Sequence, residues 1–133
     1  MEENTNAIEL LEMQKLGKIN DATFLKEFGK EKLFYSTPFG DHKDGSKKLF
    51  LLPGPDNTGY NPVFTSPDRL KEFYDRAGRA TYMMMNGPFV SVLEVTKKVN
   101  ENAPIKMGLI IDPGYYGVTI DAKALDTVIN MCR

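Results

Sequence analysis

The sequence predicts an α+β fold, a single domain in which helices pack on a mixed, mostly antiparallel β-sheet. Three observations indicate this class. Early apolar stretches of strand length follow one another through turn-type loops, and later ones alternate with helical patterns. No linker or repeat divides the 133 residues. We expect one domain over residues 1–133, because a chain of this length can bury roughly two-thirds of its unfolded surface.

Residues 1–30 are predicted to form a helical hairpin that packs on the outside of the domain. Asn4 and Thr5 are N-cap candidates for the first helix, and Gly17 stands where a left-handed residue ends a helix. Asn20 or Asp21 caps a second helix that Gly29 ends. The apolar side of this second helix is formed by Phe24, Leu25 and Phe28.

Three strand-like stretches follow, at residues 33–38, 48–52 and 60–65. Each is rich in apolar or aromatic residues and is bounded by turn-forming residues. The connection over residues 39–47 contains Asp44-Gly45, which indicates a hairpin. We therefore expect the three strands to pair in succession as an antiparallel meander.

The next helix has the clearest start in the chain. Ser66 is a good N-cap, Pro67 suits the first helical position, and Asp68 places negative charge at the positive helix end. The inward face is expected to carry Leu70, Phe73, Tyr74 and Ala77, which recur at helical spacing.

The rest of the chain alternates between strand and helix. Residues 80–85 predict a fourth strand, and Asn86-Gly87-Pro88 predicts the start of a helix that ends near Val99. A near-continuous apolar run at 106–111 is typical of a strand buried on both faces.

The C-terminal part is predicted to contain a turn, a short edge strand and a final helix. The turn spans residues 112–117 and the strand residues 118–120. Asp121 is the cap candidate of the helix, whose inward side is formed by Leu125, Val128 and Ile129.

The segment Pro62-Val63-Phe64-Thr65-Ser66-Pro67-Asp68-Arg69-Leu70 resembles the P-V-F-T-S-x-x-x-L signature of the SseB-like family, named for an enhanced-serine-sensitivity protein. Downstream, residues 108–113 followed by Thr119-Ile120-Asp121 fit the same pattern. The family usually has Asn-Pro where this chain has Asp112-Pro113, and both residue types can bond their own backbone in a turn. The resemblance covers about residue 24 to the C-terminus. It implies an SseB N-terminal-type domain and no catalytic residue set.

Composition narrows the function classes. Seventeen basic and eighteen acidic residues give a formal charge of −1, so we expect neither nucleic acid nor an anionic membrane as partner. The single cysteine, Cys132, cannot form an internal disulfide. The acidic N-terminus lacks the apolar run of a signal peptide, and no window is long enough to span a membrane. These features predict a cytoplasmic protein.

Motifs for catalysis or cofactor binding are missing. The loops at 40–47 and 54–59 have glycines at the spacing of a phosphate loop but lack its Lys-Ser/Thr sequence. His42, near Asp41 and Asp44, is interpreted as part of a solvated loop, because metal binding would need further ligands. With no nucleophile–base pair visible, we predict no enzyme activity, no metal and no cofactor.

Tyr115 and Tyr116 are the best binding candidates, because a glycine-flanked turn usually exposes its side chains and tyrosine is common in interaction hot spots. Asp112 and Asn86 also follow predicted strands and are expected at the same sheet edge. The alternative is that Asp112 only shapes the turn and the tyrosines fold back on the core. A further alternative concerns Tyr82 to Met85, either a covered central strand or a partly open, adaptable surface.

These features predict a non-enzymatic protein-interaction or regulatory module whose partner is another protein. The alternative is a domain that binds or senses a small amino-acid-like metabolite near Asn86, Asp112 and Tyr115. The sequence does not define an oligomeric state.

Overall fold

The computed structural model describes residues 4–133. The helices are α1 (Thr5–Lys15), α2 (Asp21–Phe28), α3 (Pro67–Arg76), α4 (Phe89–Asn100) and α5 (Leu125–Cys132), with a 3₁₀ turn at Ala122–Ala124. The strands are β1 (Lys32–Tyr35), β2 (Phe39–Asp41), β3 (Lys47–Leu49), β4 (Leu52–Pro53), β5 (Gly59–Phe64), β6 (Met85–Pro88), β7 (Met107–Ile111) and β8 (Val118–Ile120).

The larger sheet has the strand order β6-β1-β5-β7-β8, with β4 also paired to β5. β5 and β7 are parallel, with Val63 opposite Ile111. The other strand pairs of this sheet are antiparallel. The sheet is therefore mixed and mostly antiparallel, as the sequence predicts.

The two faces of this sheet carry different helices. Successive residues of a strand point to opposite faces, so Leu33 and Phe34 enter different cores. Leu33 and Val63 pack with the buried faces of α1, α2, α4 and α5. Phe34 and Phe64 pack with Leu70 and Tyr74 of α3. α3 thus defines a second, smaller core dominated by aromatic rings.

Side-chain capping confirms the predicted starts of α1, α2 and α3. Asn4 accepts the backbone N–H of Ala7, and Asn20 accepts that of Thr23. Ser66 Oγ accepts the N–H of Arg69 at 3.2 Å. α1 and α2 both lie within the stretch where the sequence predicts a helical hairpin. Residues 1–3 of that prediction lie outside the described residues.

The predicted three-strand meander is wrong in its first pairing, although the end of the second stretch does pair with the third, since Leu52 of β4 is opposite Tyr60 of β5. β2 and β3 form a separate two-stranded sheet, and β1 pairs with β5 and β6 instead. The residues that pair with β3, Phe39–Asp41, lie within the stretch predicted as the connecting loop. The predicted strand is interrupted between Tyr35 and Phe39, because Pro38 has no backbone N–H to donate to a neighbouring strand.

The strand predicted at 80–85 begins only at Met85 and continues to Pro88. Asn86 consequently belongs to a strand, and α4 starts at Phe89 without a side-chain cap. Asp121 likewise precedes the 3₁₀ turn without capping it. Its carboxylate accepts the hydroxyl of Tyr60 instead.

The strand at residues 107–111 is buried along most of its length, as the apolar run predicts. None of the helices within residues 4–133 combines the length and apolar character needed to cross a bilayer.

Candidate functional site

Asp112 is the centre of the turn that the sequence analysis singles out, and it is fully buried. Its carboxylate accepts the backbone N–H of Thr65 at 2.9 Å and the Thr65 hydroxyl at 2.7 Å. Nη1 of Arg69 donates to the same carboxylate at 2.8 Å. This network joins the end of β7 to the start of α3, so the role of Asp112 is to stabilise the fold.

Tyr115 lies over the Arg69 guanidinium, 4.1 Å from its central carbon to the ring centroid. Its side chain is exposed, and its hydroxyl reaches the Glu72 carboxylate at 3.2 Å. The stacking fixes the ring with one face toward α3. Tyr115 is therefore the accessible member of the predicted site.

Tyr116 is half-buried and packs against the larger core. Its hydroxyl donates to Glu12 Oε1 of α1 at 2.5 Å. Burial and this hydrogen bond raise the pKa of Tyr116 to about 12. The side chain thus ties the turn to α1 and offers little free surface.

Asn86 does not lie with the other three residues. Asn86 lies on β6 and is paired with Phe34 of β1, which in turn is paired with Phe64 of β5. Asp112 follows β7, which pairs with the other side of β5. Three strand spacings, roughly 14 Å, separate the two backbones. The expected pocket of Asn86 with Asp112 and Tyr115 is therefore not formed, because β6 pairs at the opposite edge of the sheet.

A cleft of about 290 Å³ does lie beside Tyr115. Its charged lining residues are Arg69, Glu72 and Arg76, and Arg76 bridges to Glu72 at 3.1 Å. A small ligand with both a carboxylate and an ammonium group would find groups of opposite charge there.

A second surface, missed by the sequence analysis, is built around Arg79. This arginine is 3% exposed. Its guanidinium donates to the carbonyls of Thr37, at 2.8 Å, and of Phe39, at 3.3 Å, and Nε donates to that of Thr81 at 3.2 Å. The guanidinium also lies over the rings of Phe50 and Tyr74, at 4.9 and 4.7 Å.

Arg79 and its neighbours hold the β2–β3 hairpin in place. Lys43 donates its N–H to the Gly78 carbonyl at 2.7 Å, and Ala80 donates to the Asp41 carbonyl at 2.8 Å. A Cβ at Gly40 would lie 2.8 Å from Arg79 Nε, so this close packing requires glycine. The hairpin is thus fixed to the domain from one side.

Three large apolar side chains are exposed on and beside this hairpin: Phe39 (55%), Leu49 (40%) and Met83 (71%). We call them the hairpin surface. Phe39 is directly opposite Leu49 in the β2–β3 pair. Phe39 and Met83 line one cleft of about 510 Å³. The exposure of Met83 supports the open-surface interpretation of the methionine run over that of a covered strand.

The sequence carries little signal for this surface. Phe39 lies in a stretch assigned to a loop, and Arg79 is a single arginine after Gly78. Only the methionine run hinted at it. No group of three or more His, Cys, Asp and Glu side chains is placed to hold a metal ion within residues 4–133.

Comparison with known families gives one match. The model of the SseB protein N-terminal domain matches residues 7–127, nearly the whole chain. Neither a curated protein nor a solved structure shows a significant match.

Proposed function

The chain belongs to the SseB protein N-terminal domain family, and we propose that it is a non-enzymatic, cytoplasmic interaction module that binds another protein. The observation that carries the proposal is the hairpin surface. Phe39 and Met83 line one cleft and Leu49 lies opposite Phe39 in the β2–β3 pair, on backbone that Arg79 anchors. The single, buried cysteine supports a reducing compartment.

Two physical features favour binding of a protein. Contiguous apolar area on a surface, rimmed by polar residues, is typical of interaction sites. Here Asp41 and Lys47 form that rim, joined by an ion pair of 2.9 Å. Met83 adds an unbranched side chain that can adjust to its partner. The anchored backbone lowers the conformational entropy lost on binding.

The test is a quantitative pull-down with the wild-type chain and a Phe39→Ser, Met83→Ser double variant. We expect the variant to fold normally by circular dichroism, because both side chains are exposed, and to lose at least about 10-fold in partner capture. The matched control is Val95→Ser, which removes an apolar side chain of similar exposure (48%) from α4. Equal capture by the double variant and the control would overturn the proposal.

A second candidate function is recognition of a small, amino-acid-like metabolite. The cleft beside Tyr115 favours it, because Arg69 and Arg76 lie near Glu72 in a volume suited to a small molecule. The test is a thermal-shift screen against the amino acids. We expect one of them to raise the melting temperature, and Arg76→Gln to reduce that rise. A flat screen at millimolar concentrations contradicts this candidate.

A further inference from the structure

β3 is the open edge of the small sheet. Its three residues are all exposed, and β2 is the strand with which it pairs among residues 4–133. The other side of β2 is occupied, since Asp41 and His42 meet the backbone near Arg79. The free side of this sheet is therefore the side of β3.

The register shows which backbone groups face outward. His42 donates its N–H to the Ser46 carbonyl at 2.8 Å, and Phe50 donates to the Pro38 carbonyl at 2.7 Å. Hydrogen-bonded and non-hydrogen-bonded pairs alternate in an antiparallel ladder. Lys48 is then hydrogen-bonded to Gly40, whereas Lys47 and Leu49 point their N–H and C=O groups away from β2.

From this geometry, which deepens the proposed interaction function, we infer that the partner adds an extended segment to β3 as a third strand. Its main chain would pair with the outward groups of Lys47 and Leu49. A side chain opposite Leu49 would enter the hairpin surface, because Leu49 and Phe39 project from the same face.

Charge selects the kind of segment. Lys47 is already paired with Asp41, but Lys48 makes no ion pair within residues 4–133 and its ammonium lies 5.8 Å from the centroid of the Phe50 ring. Lysine on an edge strand discourages pairing with apolar or basic strands. A carboxylate directly opposite Lys48 would form a favourable cross-strand charge pair with it. The partner segment is therefore an alternation of apolar and acidic residues.

The same charge disfavours a second copy of this chain as the occupant. An antiparallel β3–β3 pair centred on its middle residue would place Lys48 opposite Lys48. The β6 edge is a poorer acceptor of a strand, because Pro88 lacks an N–H. β3 contains no proline.

The test is selection of a random peptide library, about ten residues long to exceed a typical strand, on the immobilised wild-type chain. We expect enriched peptides to alternate apolar and acidic residues. They should bind Lys48→Glu at least about fivefold more weakly. Lys71→Glu, the same charge reversal on α3, should leave binding unchanged.

Amide hydrogen exchange with an enriched peptide bound tests the pairing itself. We expect slower exchange at Lys47 and Leu49, and little change at Lys48, whose N–H already belongs to the hairpin ladder. Absence of enrichment, equal binding to Lys48→Glu, or unchanged exchange at Lys47 and Leu49 would overturn the inference.

The pull-down separates this inference from the function on which it rests. If the hairpin-surface variant loses its partner while exchange at Lys47 and Leu49 stays unchanged, the interaction function stands and strand addition falls. If partner capture is insensitive to that variant, the interaction function falls as well.

Discussion

Arg69 and Arg79 are both arginines with largely buried side chains, yet the protein compensates their charges in different ways. Arg69 faces the Asp112 carboxylate at 2.8 Å. Arg79 faces main-chain carbonyls and two aromatic rings, and no salt bridge joins it to a carboxylate within residues 4–133. One site is an ion pair, and the other is a cation held by neutral dipoles.

The difference reflects what each arginine holds together. The Arg69–Asp112 pair joins regular elements, the ends of β5 and β7 and the first turn of α3. Arg79 binds the carbonyls of Thr37 and Thr81, which lie outside the strands, and of Phe39 at the start of β2. An arginine fork suits this task because it offers five donors in a fixed plane. Thus the first site stabilises the sheet, and the second positions the hairpin surface.

The largest expected effect comes from Asp112→Ala. It removes three hydrogen bonds and leaves the Arg69 guanidinium without its carboxylate, so we expect a loss of about 3–5 kcal/mol in the free energy of unfolding. Urea denaturation measures it. The matched control is Asp56→Ala, because Asp56 also has a positive φ (51° against 47°) but pairs with Lys123 at an exposed site. Similar losses in the two variants would show that backbone strain, and not the ion pair, dominates.

Arg79→Met should have a smaller global effect and a distinct local one. The variant keeps much of the apolar stem but leaves three carbonyls without their donor, which we expect to cost about 2–3 kcal/mol. Amide exchange should accelerate at His42 and Lys43, which tie the hairpin to its own loop and to the Gly78 carbonyl. Arg69→Met is the comparison, and it should leave those amides protected. Equal acceleration in both variants would argue against separate roles.

The tyrosines beside the two arginines differ in their expected response to alkaline pH. Burial raises the pKa of Tyr74, next to Arg79, from 10.0 to about 12. Between these values the unfolded chain loses the phenol proton while the folded chain keeps it, so stability falls as pH rises. Tyr74→Phe should therefore reduce the loss of unfolding free energy at alkaline pH by about 2–3 kcal/mol.

Tyr116 provides the matched comparison. Burial and Glu12 raise its pKa to about 12 as well, but its side chain is only half-buried. Tyr116→Phe should therefore flatten the alkaline fall less than Tyr74→Phe does. Urea unfolding at pH of about 9 and about 11.5 measures the difference. If Tyr116→Phe reduced the alkaline loss of stability more than Tyr74→Phe does, the expectation that the more buried Tyr74 dominates this loss would be wrong.

Tyr115→Ala should give the smallest change. The ring stacks on Arg69 but is 47% exposed, so we expect less than about 1 kcal/mol of destabilisation. Chemical denaturation measures this, with Tyr115→Phe as the variant that retains the stacking. If Tyr115→Ala also weakens partner capture as strongly as the hairpin-surface variant, the turn belongs to the interface.

Features encoded by neighbouring residues could be predicted from the sequence. The caps at Asn4, Asn20 and Ser66 need only a side-chain oxygen and the next turn of backbone. The buried strand β7 follows from its apolar run, and β8 from the short stretch after the turn. Each of these is a local property.

Features that depend on distant partners were missed. The choice of β5 over the stretch at residues 48–52 as the neighbour of β1 depends on which apolar faces meet, and strand length or spacing does not contain that information. Burial of Arg79 was invisible because its partners are main-chain carbonyls, which every residue possesses. Asp112 appeared to be a surface candidate because its partners, Thr65 and Arg69, lie 47 and 43 residues away in the chain, although both stand in the signature that indicated the family.

The parallel pairing of β5 with β7 also has a consequence for folding order. Val63 meets Ile111 only after α3, β6 and α4 have been inserted between them in the chain. Pairing across such a separation pays a loop-closure entropy before it gains contacts, and is slow. The β2–β3 hairpin closes over a few residues, on a timescale of about 1–10 μs. We expect the edge of β3 to be exposed in early folding intermediates, before the centre of the sheet has assembled.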